Sequence, residues 1–375
     1  MPPPNPPAPL LRARSTADSI PGKYIVKFKD DISNFSLNSA LASQQPDHTF
    51  TSPGFKGFAA FLDPASLTAI RDHPDVEFVE EDSVVTIRGV VSQPSSPWNL
   101  ARISSRTPGS TTYRYDESAG AGTCVYVIDS GVYASHPELA GRVVWGINTA
   151  GDGSDADLNG HGTAVAGVAG AVIHGVAKKT TIIAVKVINA SGSGTTSGVI
   201  AGLSFVATDA STRSNCPNGT VANISLGGGR STAMNAAAAA LVNSGVFVSV
   251  AAGGSNDDAQ FYSPASEPSV FTVGGTDIDD LKNFSSNYGE LVDLFAPATD
   301  IEAPWIGGGN LTETLSGTSF SAAHVSGLAA YFLGLMPNTP PVQLGEYIQS
   351  IATKDAIKDL PVGTKNLLAY NGIDL

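Results

Sequence analysis

Four runs of nearly unbroken apolar residues, at 125–128, 182–187, 221–226 and 246–251, alternate with windows of small and apolar residues at 162–172, 198–210, 232–243 and 319–335. A run that is apolar at both parities has no polar face to offer water, so each predicts a strand buried on both sides. Buried strands separated by helices predict an α/β domain whose mostly parallel sheet is covered on both faces. Ligands in such sheets bind beyond the carboxyl ends of the strands. The pattern begins at Trp98, and residues 98–375 form one predicted domain.

Residues 23–87 carry a different signature. Stretches 24–29, 56–62 and 76–80 predict strands, and Pro64 suits the first turn of a helix reaching residue 73. Strand, helix, strand, helix, strand over this length predicts a small α+β unit of ferredoxin-like kind. Residues 1–22 hold six prolines between positions 2 and 9. Proline fixes φ and removes a donor, so this segment is expected to be a disordered, extended and unpaired tail. It lacks the apolar stretch of a signal peptide. Residues 88–97 lose periodicity and gather Ser, Gln and Pro, which predicts a linker.

Composition narrows the function classes. With 21 basic against 34 acidic residues the net charge is −13, which gives no electrostatic ground for holding nucleic acid. There is no apolar run long enough to span a membrane. Two cysteines cannot make a disulfide-dense scaffold.

Three residues sit where such a sheet keeps its chemistry. Asp129 ends the first apolar run and is followed by Ser130-Gly131; alone, it reads as a turn aspartate. His161 lies in Asn159-Gly160-His161-Gly162-Thr163, where flanking glycines let backbone and substrate approach the imidazole closely. His136 follows a turn and His324 falls inside a helix, as a packing residue. Ser319, in Ser316-Gly317-Thr318-Ser319, begins an apolar helix, and by itself it reads as an N-cap serine. Unpaired N–H groups and the helix dipole at that place are also what a developing oxyanion needs. Taken together, the chain order Asp, His, Ser differs from the Ser, Asp or Glu, His order of α/β-hydrolases. Gly317-Thr318-Ser319-Phe320-Ser321 also lacks the last glycine of their nucleophile elbow. In a triad, His161 takes the Ser319 proton, while Asp129 holds the imidazole tautomer and stabilises its cation.

Val127-Ile128-Asp129-Ser130-Gly131, Gly160-His161-Gly162-Thr163 and Ser316-Gly317-Thr318-Ser319 resemble the three signatures of the subtilisin-like serine proteases. Pro97-Trp98-Asn99-Leu100-Ala101-Arg102-Ile103, Gly175-Val176-Ala177-Lys178-Lys179-Thr180 and Tyr262-Ser263-Pro264-Ala265-Ser266-Glu267-Pro268 resemble the proteinase K group among them. The resemblance implies a three-layer subtilisin-like peptidase domain at 98–375. It implies an inhibitory propeptide at 23–87, folded against that domain with residues 84–87 in the cleft and released by cutting between about Arg88 and Gln93, where periodicity ends. It further implies that Gly192, Ser193 and Gly194, with Ser225, Leu226, Gly227 and Gly228, flank a bound peptide as extra strands. Pro268, Val270 and Asp293 match a structural calcium site, and oxygen ligands suit that ion. Cys124 and Cys216 match a disulfide pair, which fits an oxidising compartment.

The chain also departs from the family. Gly254, in Val250-Ala251-Ala252-Gly253-Gly254-Ser255, stands where the family places the asparagine of the oxyanion hole opposite the Ser319 backbone N–H. Loss of one such donor costs about 10²–10³ in turnover. Ser255 and Asn256 are near but shifted in sequence. Ala164 replaces a second histidine, and Phe320-Ser321-Ala322-Ala323 replaces the usual Met-Ala-Thr-Pro. The expectation is a secreted, monomeric serine endopeptidase made as an autoinhibited proenzyme. It needs no catalytic cofactor, and its partners are protein substrates and its own propeptide, not nucleic acid or membrane. A second reading, an impaired relative that binds peptides or acts through its inhibitor unit, rests on Gly254 and is opposed by the intact triad. Acceptor sequences for N-glycans occur at Asn34, Asn189, Asn218, Asn223, Asn283 and Asn310; at Asn223, in a predicted core strand, a glycan would not fit.

Overall fold

The computed structural model describes residues 6–12, 19–32, 46–83 and 89–373. The chain divides into two compact units, Met1–Ile87 and Arg88–Leu375.

The first unit is a five-stranded sheet in the order Leu10–Leu11, Val76–Ser83, Ser19–Phe28, Phe55–Phe61, His48–Ser52. The last four strands pair antiparallel. Helix Pro64–Arg71 starts with proline in its first turn, and the Asp63 carboxylate caps it by accepting Ser66 N–H at 2.7 Å. Phe28, Phe58, Ile70 and Val79 meet in one core, so helix and sheet close on each other. The other expected helix falls between Phe28 and His48, where residues 33–45 lie outside the described residues.

Residues 1–22 are not an unpaired tail throughout, which corrects that reading. Leu10–Leu11 runs parallel to Val79 and Glu80. Ala8 is buried, and its N–H donates to Arg71 O at 2.7 Å. Proline lacks a donor but keeps its carbonyl: Val79 N–H donates to Pro9 O at 3.0 Å. A proline-rich strand can therefore join a sheet edge through its acceptors.

The second unit is built on a nine-stranded sheet. Seven of its strands run parallel in the order Leu294–Pro297, Phe271–Thr276, Phe247–Ala251, Gly219–Ile224, Thr123–Asp129, Thr181–Lys186, Val143–Asn148, the last at one edge. The short pieces Leu367–Leu368 and Thr353–Lys354 finish one edge. The four predicted strands all lie here, with ends moved by a residue or two. Strand Thr123–Asp129 shows why it reads as apolar at both parities: Val125 and Val127 face one core, Cys124, Tyr126 and Ile128 the other. Helices His161–Gly170 and Thr318–Leu335 cover the first face; Thr196–Ala210 and Thr232–Asn243 cover the second.

The predicted linker at 88–97 is also corrected. Val90–Pro94 forms an antiparallel pair with Thr112–Asp116. Most of that strand is exposed, so neither face needs an apolar side chain and no alternation appears in the sequence. Cys124 and Cys216 are joined by a disulfide with a Cα–Cα distance of 5.5 Å, across 92 positions. In the chain-entropy account a closure of that length stabilises by about 4–5 kcal/mol. Asn223 is fully buried, its amide donating to Ser225 Oγ at 2.8 Å and accepting from Ser326 Oγ at 3.0 Å, whereas Asn310 is exposed.

Candidate active site

Asp129 is the last residue of the buried strand Thr123–Asp129 and is 1% exposed. The chain leaves through Gly131 at φ +106°, where a Cβ would lie 3.2 Å from the Asp157 backbone. It enters helix His161–Gly170 through Gly160 at φ +101°, where a Cβ would lie 2.5 Å from the Trp305 ring. Only glycine meets both demands at these two turns. They bring His161 Nδ1 to 2.8 Å from Asp129 Oδ1 and 3.0 Å from Oδ2, while Ser130 N–H donates to Oδ1 at 2.7 Å. The Asp129 charge raises the His161 pKa above the ordinary imidazole value, against the opposing effect of burial.

A second carboxylate holds this corner, and sequence reasoning missed it. Asp157 Oδ1 accepts from Ser130 Oγ, Asn159 N–H and Gly160 N–H; Oδ2 accepts from Thr163 N–H and Thr163 Oγ. Those bonds tie the turn after Asp129 to the first turn of the His161 helix. In sequence Asp157 is one more aspartate in a loop, and only its distance of four positions from His161 hints at the role.

Ser319 is the second residue of helix Thr318–Leu335, so its N–H has no acceptor within the helix. Its Oγ donates to Ser225 O at 3.1 Å, and Ser225 Oγ donates back to Ser319 O at 2.7 Å. This reciprocal pair, with Asn223 and Ser326 behind it, is a further arrangement that sequence did not show. Among the described residues no hydrogen bond joins Ser319 Oγ to His161. Catalytic bonds of this kind often tighten only when substrate arrives. The serine is nonetheless a neighbour of the pair, since the ring of Phe320 lies 6.0 Å from the imidazole. His324 is set apart from the chemistry. It is buried, with Nδ1 2.7 Å from Phe320 O and Nε2 2.8 Å from Asn99 Nδ2, and burial pushes its pKa down to about 4.

Two adjoining cavities frame these groups. One, of about 580 Å³, is lined by Asp129, His161, Gly192, Ser193, Gly194 and the segment Ser225 to Gly228. The other, of about 370 Å³, shares Ser225, Leu226, Gly227 and Gly228 and adds Gly254 and Ser319. The segment paired with Asp129 and His161 thus continues past the serine. One edge of Gly228–Gly229 is already paired antiparallel with Tyr262–Ser263.

Gly254 lines the cavity that holds Ser319. A Cβ there would meet only Ser285 Oγ, at 4.0 Å, and the backbone lies outside the left-handed region. No steric need for glycine exists at this position. Of the shifted neighbours, Asn256 has φ +50° and its Oδ1 accepts from Lys282 Nζ at 2.9 Å.

Pro268, Val270 and Asp293 line one cavity of about 180 Å³, so the residues expected to hold calcium do converge. The carboxylate, however, is already engaged. Asp293 Oδ1 accepts from Lys365 Nζ at 2.9 Å and Gln349 Nε2 at 3.2 Å, and Oδ2 accepts from Thr272 N–H at 3.0 Å. As folded, both carboxylate oxygens are taken by N–H donors, and this donor set does not fit a divalent cation. Among the described residues no three His, Cys, Asp or Glu side chains cluster as metal ligands elsewhere.

Residues 120–372 match the Subtilase family and residues 23–88 match Peptidase inhibitor I9. The chain is 48% identical over 367 residues to a cuticle-degrading protease of Metarhizium anisopliae, covering 98% of this chain and 93% of that protein. It is 51% identical over 367 residues to Proteinase R of Parengyodontium album, covering 97% and 92%. The solved structure of a cold adapted subtilisin-like serine proteinase superposes with a TM-score of 0.70 at 43% identity, over 75% of this chain and all of that one.

Proposed function

The chain belongs to the subtilase family and is a serine protease carrying an I9 inhibitor domain, and from that premise we propose that Asp129, His161 and Ser319 perform the hydrolysis. The observation that carries the assignment is the carboxylate–imidazole pair at the end of strand Thr123–Asp129, beside a serine at a helix start. Ser319 Oγ leaves the Ser225 carbonyl, gives its proton to His161 Nε2 and attacks the peptide carbonyl carbon. Asp129 keeps Nδ1–H in place and stabilises the imidazolium. Charge developing on the carbonyl oxygen meets the Ser319 N–H and the positive end of the helix. His161 then protonates the departing amine as the C–N bond breaks. Water repeats the sequence on the acyl-enzyme and restores the serine.

The same residues set a pH dependence. The base form of His161 is the neutral one, and its pKa is raised by the Asp129 charge. Activity is therefore expected to fall, as pH drops, at a pH above the ordinary imidazole value. A pH profile of kcat/KM checks this; an acid limb below that value would contradict the pairing.

Gly192 to Gly194 and Ser225 to Gly228 are assigned to the substrate backbone, which supplies hydrogen bonds as a strand would. Among the described residues no charged side chain lines the cavity beside Ser319, so an uncharged substrate side chain is assigned to it. Fluorophosphonate labelling of the processed enzyme tests the nucleophile.

Residues 23–87 are assigned as the inhibitory propeptide, in support of which stands the I9 match. The expected placement of residues 84–87 lies outside the described residues. Because Val90–Pro94 is a strand of the second unit, a cut within it would remove paired backbone. N-terminal sequencing of the processed enzyme should therefore give a start at or before Val90. A start beyond Pro94, or an active enzyme with no cut, would overturn the reading. The disulfide supports a secreted protein.

A further inference from the structure

We propose that Lys365 and Gln349 take the place of the calcium ion at Asp293, so that this chain carries its own cation and gains nothing there from the metal. Asp293 precedes strand Leu294–Pro297, and its N–H donates to Thr272 O at 2.9 Å while Oδ2 accepts from Thr272 N–H at 3.0 Å. Its carboxylate is thereby held at the wall of the cavity with Pro268 and Val270. Two donors arrive from elements that the fold brings alongside. Lys365 stands just ahead of Leu367–Leu368, whose Leu368 pairs parallel with Phe295, and its ammonium reaches Oδ1 at 2.9 Å. Gln349, on helix Pro341–Ile351, also lines the cavity. Its amide donates both to Oδ1 at 3.2 Å and to the Asp293 carbonyl at 3.1 Å.

Calcium demands six to eight oxygen ligands at 2.3–2.6 Å, and N–H groups cannot serve as ligands. Each lone pair that Lys365 and Gln349 occupy is lost to the metal. Charge leads to the same conclusion. One carboxylate with one ammonium is neutral, and the other acid lining the cavity, Glu346, is exposed to water. A divalent ion added to that pair would have to expel the lysine or be repelled by it. The Asp293 and Lys365 side chains are 21% and 43% exposed, so the pair adds little stability. Its effect is to exclude the ion.

The test uses the full chain with Ser319→Ala, which prevents self-digestion, melted in calcium chloride and in EDTA. The parent should show no calcium-dependent rise that needs Asp293. Lys365→Met with Gln349→Ala frees the carboxylate, and this double variant should melt about 3–6 °C higher in calcium, at 10–100 times its dissociation constant, than in EDTA. Adding Asp293→Asn should remove that rise. Two results would overturn the proposal: no calcium-dependent rise in the double variant, or a rise in the parent that Asp293→Asn abolishes. The second is measured without the double variant, so it holds even if that protein fails to fold.

Discussion

Ser319→Ala is expected to reduce peptide hydrolysis by about 10⁶-fold and to abolish fluorophosphonate labelling together with it. The whole loss falls on the chemical step, because the reacting oxygen is gone while the peptide-flanking segments are untouched. Folding should survive. Ser319 Oγ makes one hydrogen bond, to Ser225 O, and Ser225 Oγ still donates to the Ser319 carbonyl. Circular dichroism and an unchanged melting temperature would separate a catalytic loss from a structural one. Cleavage retained at even a hundredth of the parent rate would refute the assignment, since residual catalysis without the triad reaches only about 10³–10⁴ over water.

The second large effect runs in the opposite direction. Gly254→Asn is expected to raise kcat by up to about 10²-fold with KM nearly constant, because the added amide acts on charge present only in the transition state. Space is available. The new Cβ would meet nothing closer than Ser285 Oγ at 4.0 Å, and the backbone already suits an L-residue. If another group already fills the role, kcat will stay flat on Gly254→Asn and fall on Ser255→Ala or Asn256→Ala. A flat response in all three variants would remove the oxyanion argument for this enzyme.

Much of the proposed site is legible in the sequence. Asp129, His161 and Ser319 each stand at a junction between a strand or loop and a helix, and such junctions leave local marks: glycines at turns, an apolar run that stops, a helix that starts. The segments assigned to the substrate backbone were legible only through the resemblance to the subtilisin-like proteases. Asp157 carried no such mark. Its five hydrogen bonds go to groups between Ser130 and Thr163, and nothing within a loop announces which aspartate will be the one at the centre. The strand at 90–94 was hidden for a related reason, since an exposed edge strand obeys no burial pattern.

The amino-acid sequence by itself determined the α/β layering and the chain order of Asp129, His161 and Ser319 at strand and helix ends. Each of these follows from which residue types occupy consecutive or periodic positions, so local chemistry is enough to decide them. The tertiary structure alone decided that Leu10–Leu11 joins a sheet through Val79 and Glu80, that Ser319 Oγ rests on Ser225 O, and that Lys365 reaches Asp293 across 72 positions. These contacts join groups far apart in the chain, and each residue involved has several partners it could satisfy equally well. Which of them it meets is set by strand register and by packing within each unit, and both are properties of the packed whole.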